Sequence, residues 1–388
     1  MKNYREILAE NKTWIDETFA KIDSKLSVVT KRLSDVIAGD GDVATGKRVP
    51  LVSHAWTSGF WAGLNWMLYD YTGNEDYKVT AQNNVRLLDE ALRKFEGLHH
   101  DVGFMWHLAA GAEYRLLGSA DAKVRDLFAA SSLVSRYVLD GGFIRAWNGW
   151  YGQDVSNWTI IDCLMNLPIL YWASDEIGDD RFKRIAMSHA DMALRDHLRP
   201  DGSVVHIAEH DRESGECVKT YAGQGFAVGS SWSRGQAWAL YGFVISYLHT
   251  GEERYLNASK QVANYFIANC CDDWLPRIDF RGPSTPVYYD STAGACAACG
   301  MIELAKLLPE HEGGMYMNAA ISILRAMGEK FCDFDHDKDY ILGYGSVRSP
   351  IPGEVEVEKA GIHIPIIYGD FFYTEAILKL LGAEFNPW

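Results

Sequence analysis

The chain has 388 residues, 48% hydrophobic and 23% charged, which is enough apolar mass for a large core. Its formal net charge of −15 argues against nucleic acid and anionic membranes as partners, although an anionic small molecule can still bind in a locally positive pocket. Seven irregularly spaced cysteines argue against a disulfide framework. Met1 to Thr13 lacks the apolar stretch of a leader, and no uncharged run reads as a membrane span, so a cytoplasmic protein is expected.

An amphipathic segment at residues 3–36 is expected to pair with an uncharged run at 57–71 as the first helical hairpin. A punctuation unit then appears. Tyr71-Thr72-Gly73-Asn74-Glu75-Asp76-Tyr77 is echoed weakly by Leu117-Gly118-Ser119-Ala120-Asp121. It is echoed clearly by Glu176-Ile177-Gly178-Asp179-Asp180-Arg181-Phe182 and by His249-Thr250-Gly251-Glu252-Glu253-Arg254-Tyr255. Each reads as a helix stopped by a glycine and followed by an acidic first turn. The segment after each joint is amphipathic, as in Tyr77, Ala81, Val85, Leu88, Leu92 and Phe95. The segments before them, 57–69, 158–173 and 235–248, are nearly uncharged, as is 291–302, and a helix apolar all round is buried all round. About twelve helices in six hairpins, inner alternating with outer, describe an all-α toroid over a single domain, residues 1–388. Pro168 should kink or break the third inner helix. The long connections 139–157, 199–233, 271–290 and 333–369 each lead into an inner helix, so they gather at one end, where long loops carry function. Within the second, Ser203 to Ile207 reads as one edge of a short hairpin.

Asp101, in His99-His100-Asp101-Val102-Gly103-Phe104, stands at the mouth of one inner helix. Asp162 is the single charge in residues 158–173. A carboxylate in apolar surroundings is costly unless paired, protonated or used. Both also admit a structural reading, as a helix cap or a partner of backbone N–H groups. Arg234, in Trp232-Ser233-Arg234-Gly235-Gln236-Ala237-Trp238, could grip a substrate carboxylate or pair with a buried Asp. The 13 Trp, 20 Tyr and 16 Phe suit either sugar stacking or a bulky core. Cys296 and Cys299 read as small core residues. The run Asp333-Phe334-Asp335-His336-Asp337 has alternating acids but Lys338 where a calcium loop needs Gly, so it reads as a solvated loop. His99-His100-Asp101 lacks a further ligand set, and no metal or cofactor is expected.

Taken in order, several stretches resemble the unsaturated glucuronyl hydrolases, glycoside hydrolase family 88. They are Trp56-Thr57-Ser58-Gly59-Phe60-Trp61-Ala62-Gly63, the His99 to Phe104 stretch, Ile160-Ile161-Asp162-Cys163-Leu164 with Asn166-Leu167-Pro168, the Trp232 to Trp238 stretch, Asp290-Ser291-Thr292-Ala293, and Tyr368-Gly369-Asp370-Phe371-Phe372-Tyr373. The resemblance implies an (α/α)6 barrel. It implies removal of the Δ4,5-unsaturated uronic acid that polysaccharide lyases leave at the non-reducing end of oligosaccharides, by hydration of the C4=C5 vinyl ether. It also implies Asp162 as general acid/base, Asp101 as the second essential aspartate, and Trp56, Trp147, His206, Gln224, Arg234 and Trp238 on the substrate.

Protonating C4 needs an acid that is neutral near working pH. A helix N-terminus would work against this at Asp162, while apolar surroundings and an ionised Asp101 would favour it. Arg348, in Tyr344-Gly345-Ser346-Val347-Arg348-Ser349, is expected to hang over the mouth and contact a sulfate on the leaving sugar; a solvated surface turn is the plainer reading. Three other activities fit less well. An unsaturated rhamnogalacturonyl hydrolase would share the chemistry, but the His-His-Asp motif favours the glucuronyl enzymes. An inverting glycosidase would act on saturated sugars. A sugar-binding toroid without catalysis gives no reason for a lone Asp162.

Overall fold

The computed structural model describes residues 2–149, 152–270, 272–350 and 361–388, so parts of three long connections lie outside the described residues. Helix α1 (Tyr4–Arg32) opens with a capping box in which Asn3 and Glu6 exchange side-chain-to-backbone bonds. A ribbon of β1 (Ala38–Gly41) and β2 (Arg48–Pro50) leads to α2 (Phe60–Thr72), α3 (Glu75–Leu87) and α4 (Asp89–Lys94). Next comes a π-helical segment (Gly103–Gly111) that tightens into α5 (Ala112–Leu117), then α6 (Ala120–Val134) and the ribbon β3 (Tyr137–Val138) with β4 (Phe143–Ile144). Strand β5 (Trp158–Ile160) runs into a 3₁₀ turn (Ile161–Asn166), α7 (Pro168–Ile177) and α8 (Arg181–Asp196). Strands β6 (Ile207–His210) and β7 (Cys217–Tyr221) complete a three-stranded antiparallel sheet in the order β5-β6-β7. The remainder is α9 (Ser233–Thr250), α10 (Glu253–Asn269), α11 (Ser291–Leu307), α12 (Glu310–Lys330) and α13 (Ile367–Leu381).

The uncharged segments form a closed inner ring. Helix α2 packs on the π-helical segment, which packs on the 3₁₀ turn and α7. These pack on α9, α9 on α11, α11 on α13, and α13 returns to α2. Every residue of α9 from Ser233 to Ser246 is buried, as is every residue of α11 from Ser291 to Ile302, Cys296 and Cys299 included. The fold is therefore the expected (α/α)6 toroid. The glycine joints are as read: Gly73, Gly118, Gly178 and Gly251 cap their helices in the left-handed region, at φ between 66° and 70°. At the third joint the acid precedes the helix, with Asp180 at the N-cap.

Some expectations change. The first hairpin is not α1 with α2. Helix α2 pairs with α3, and α1 packs mainly on α13, α12 and α3. The short glycine joints run from inner to outer helix, so each inner helix is backed by the helix after it. The last inner helix, α13, is backed by the first outer one. The expected hairpin edge at 203–207 begins only at Ile207 and is the middle strand of its sheet. Pro168 does break its helix: the 3₁₀ turn ends at Asn166 and Pro168 opens α7, where a missing N–H costs nothing.

One buried ion pair ties the β1–β2 ribbon to the ring. The Arg48 guanidinium bonds to the Asp370 carboxylate on α13, both side chains fully buried, and donates to the Gly39 and Asp339 carbonyls at 2.6 and 3.1 Å. Asp370 also accepts from the Ile341 and Leu342 N–H groups at 3.0 and 2.8 Å. Removing one partner strands a buried charge. Arg48→Met should therefore lower the unfolding free energy by about 3–5 kcal/mol, read as a fall in urea midpoint at unchanged m-value.

Candidate active site

The inner helices present their N-terminal ends on one side of the ring, and two aspartates stand at neighbouring mouths. Asp101 stands two residues before the first residue of the π-helical segment; Asp162 is the second residue of the 3₁₀ turn. They are 6% and 8% exposed, buried yet reachable. Two glycines let these mouths pack. A Cβ on Gly59 would stand 2.1 Å from the Phe104 carbonyl oxygen, and one on Gly103 would stand 2.8 Å from the Asn166 Cα.

Asp101 is held by a cluster of donors. Its Oδ2 lies 3.0 Å from His99 Nδ1 and 3.3 Å from His100 Nε2, and its Oδ1 accepts from Asn166 Nδ2 at 3.2 Å. Burial pushes the Asp101 carboxyl up, but His100, His99 and Asn166 together outweigh it and hold it below the usual range, so it is ionised. Burial lowers the His100 imidazole to about 4 against the pull of Asp101. The ligand atoms of His99, His100 and Asp101 fall within 4.8 Å of one another, the spacing of a possible cation site. Oδ2 of Asp101 faces both rings, but His100 Nε2 makes no hydrogen bond to it among the described residues.

Asp162 has a different environment. It lies between the buried Ile161 and Cys163, and its Oδ1 has no hydrogen-bond partner among the described residues. Sheet register decides what faces it. Ile160 on β5 pairs with Ile207 on β6, and the Ile161 N–H donates to the His206 carbonyl, so Asp162 and His206 leave the sheet side by side. His206 Nε2 stands 3.5 Å from Asp162 Oδ1. His206 Nδ1 accepts from the Gln224 N–H at 2.9 Å, so the ring carries its proton on Nε2, toward Asp162. The ring also packs on Trp232, centroids 4.4 Å apart.

Arg234 is fully buried under this site. It donates to Asp290 Oδ2 at 2.7 Å, to the Val347 carbonyl at 2.7 Å and to the Ser346 carbonyl, with its guanidinium carbon 4.6 Å from the Trp232 ring and 5.5 Å from that of Tyr368. The pairing with a buried aspartate, one of the two sequence readings, is thus present. These bonds occupy Nη1 and part of Nη2, leaving Nε and one Nη2 proton without a partner among the described residues.

The other expected contacts divide. Trp56 and Trp147 are half-buried; Trp56 packs on Tyr368 and Phe104, and Trp147 meets His100 edge-on at 6.4 Å. Trp238 is not at the surface. At 0% exposure it lies one layer down, among Phe104, Tyr368 and Phe372, and supports the floor, because a position inside a ring helix faces the packed interior. Gln224 directs an amide proton to the Val347 carbonyl at 2.5 Å, and its own carbonyl accepts from Ser349. Arg348 is half-buried on that same loop and donates to the Ser349 carbonyl. Asn166, Asp290 and Tyr368 belong to this site and were absent from the expected set. Asp290 and Tyr368 stand in the quoted motifs, but only contact reveals their partners. Asn166 sits four residues after Asp162, which was the available signal.

No family model matches the chain. The unsaturated glucuronyl hydrolase of Bacillus sp. (strain GL1) is 35% identical over 338 residues, 86% of this chain and 88% of that protein. The unsaturated chondroitin disaccharide hydrolase of Streptococcus pyogenes serotype M1 is 35% identical over 86% of this chain and 82% of its own length. Among solved structures, the unsaturated glucuronyl hydrolase of Streptococcus agalactiae superposes with a TM-score of 0.88 at 28% identity, covering 96% of this chain and 93% of that one.

The Arg234 contacts make one measurable demand. A lysine ammonium cannot span Asp290 and both loop carbonyls. Arg234→Lys should lose about 1.5–3 kcal/mol of stability and speed amide exchange across residues 345–349, read by hydrogen-exchange mass spectrometry. Unchanged exchange there would show that Arg234 does not hold the loop.

Proposed function

The chain belongs to the unsaturated glucuronyl hydrolases, glycoside hydrolase family 88, and we infer that its two buried aspartates run the hydration that defines their chemistry. As a member it is a glycoside hydrolase that releases the unsaturated uronic acid from the non-reducing end of glycosaminoglycan oligosaccharides. The observation that carries the assignment within the site is the contrast between the two carboxyls. Asp101 accepts a hydrogen bond from Asn166 and has His99 and His100 within 3.0 and 3.3 Å of its Oδ2. Asp162 Oδ1, by contrast, has no hydrogen-bond partner among the described residues, and His206 approaches it at 3.5 Å.

In this reading Asp162, protonated, gives its proton to C4 of the vinyl ether as positive charge develops on C5 and the ring oxygen. Ionised Asp101 stabilises that charge. The Asp162 carboxylate then takes a proton from the water that attacks C5, which restores the acid. The resulting hemiketal opens and rearranges, and the aglycone leaves. The His206 Nε2–H steadies the Asp162 carboxylate between the two transfers. The remaining Arg234 protons suit the uronate carboxylate, and Trp56 and Trp147 offer faces to the sugar rings. No step calls for a metal or cofactor. The whole chain is taken as one catalytic unit because α13 closes the ring on α2 and packs on α1. A cytoplasmic site of action is in keeping with the free thiols of Cys163, Cys217, Cys296, Cys299 and Cys332. No helix among the described residues is long and apolar enough to cross a membrane.

The test is loss of ene-acid ultraviolet absorbance on a panel of lyase-generated unsaturated disaccharides, with saturated ones as control. Asp162→Asn is nearly isosteric but cannot relay the proton. It should cut kcat by at least about 10²-fold with folding and binding retained; near-full turnover would remove Asp162 from the mechanism. Cleavage of the saturated controls would point to an inverting glycosidase instead.

Sulfate selection is read onto Arg348. The loop that carries it is bonded to Arg234 and Gln224, which supports a place for this loop near the leaving-group half of the pocket. Arg348→Ala should lower kcat/KM on sulfated disaccharides on the order of ten- to a hundredfold, as a charge-assisted contact of about 1.5–3 kcal/mol requires, and spare unsulfated ones. Equal losses on both sets would dismiss that role.

A further inference from the structure

Asn166 has no surface of its own and nevertheless touches every part of the acid pair's framework. Its side chain is 0% exposed. Its Oδ1 accepts from the Phe104 N–H at 2.8 Å, one of the donors that the start of the π-helical segment would otherwise leave unpaired. Its Nδ2 donates to Asp101 Oδ1 at 3.2 Å and approaches the Asp162 carbonyl, one turn back on its own helix, at 3.5 Å. Gly103 lies against its backbone so closely that a Cβ there would collide with it. One amide thus joins the two mouths on which the two carboxyls sit.

We propose that Asn166 is a positioning residue for the hydration reaction: its amide holds Asp101 as an ionised partner at a fixed distance from Asp162. The proposal rests on the reading of Asp101 as the second essential carboxylate. An amide suits the position because it offers an acceptor to Phe104 and a donor to Asp101 at once, without adding charge. An acid of the same shape would keep the first bond and forfeit the second. The other groups that act on Asp101 are His99 and His100 from its own segment, Arg136 beyond α6, and Cys163 on the 3₁₀ turn. Arg136 stays cationic across the acidic range, whereas His100, lowered to about 4, interacts with Asp101 and changes charge in the same acidic window.

Asn166→Asp tests this because it separates the two bonds. The new carboxyl still accepts from Phe104 but meets Asp101 as a like charge, and two carboxyls in that geometry share a proton. Asp101 works when ionised, a state present above its pKa and lost as pH falls through it. Raising that pKa therefore moves the acidic limb of kcat/KM upward. The variant should shift that limb up by at least about one pH unit and lose about tenfold in kcat at the low-pH end, with KM within about threefold. Asn166→Ser, which removes the donor without adding charge, should shift it less but in the same direction, and it carries the test if the acid variant does not fold. Thermal midpoints and near-ultraviolet circular dichroism establish folding for both. A lowered kcat with an unmoved limb would reduce Asn166 to a structural cap and overturn the proposal. Wild-type kinetics in both variants would overturn it as well. Asp101→Asn, measured alongside, isolates the premise: near-full turnover there would remove Asp101 from the reaction, whatever Asn166 does.

Discussion

Closing six largely apolar helices into a ring leaves no solvent for any charge that enters the inner wall, and this constraint governs the rest of the molecule. Each charge found there is either compensated or available for chemistry. Arg48 and Asp370 neutralise each other and fasten the β1–β2 ribbon. Arg234 and Asp290 do the same between α9 and α11, and two further guanidinium protons reach the loop at residues 346–347. Asp101 is surrounded by donors. At the mouth of the ring, Asp162 has an oxygen with no hydrogen-bond partner among the described residues, beside His206.

The ring also explains why the site lies where it does. Glycine caps make the joints at one end short, so all the long connections fall at the other, where the inner helices present their N-termini. Those connections fold into a small sheet and several loops that bond to the helix mouths. Gln224 exemplifies the result. Its backbone N–H orients His206, while its side chain and carbonyl hold the loop at residues 347–349. A residue of this kind influences catalysis through the position of others, whether or not it touches sugar.

The two aspartates illustrate how one residue type acquires two roles. Both are buried at helix mouths, and both would be costly as bare anions. The difference lies in their neighbours: two imidazoles and an amide around Asp101, aliphatic side chains and a single approaching N–H at Asp162. The proposed division of labour between acid/base and electrostatic partner rests on that difference in surroundings.

Much of this was legible in the chain. The toroid could be read from the alternation of uncharged and amphipathic segments, because burial on all sides and burial on one side leave distinct patterns of charge. Glycine joints could be read because a helix stop demands the left-handed region, and Pro168 because it cannot continue a helix. Asp162 stood out as a single charge in an apolar run. Other features depend on contacts between residues distant in sequence. The backing of α13 by α1 required the ring to close. The pairing of Ile160 with Ile207, which aims His206 at Asp162, is a strand register that a polar loop sequence does not specify. The burial of Trp238, the pairing of Arg234 with Asp290 and the clasp of Asn166 on Asp101 join residues at least 56 positions apart. Periodicity and composition report which face of a segment is buried. What that face meets is decided when the helices assemble, because side-chain hydrogen bonds act over about 3 Å and only the closed ring brings those groups within reach.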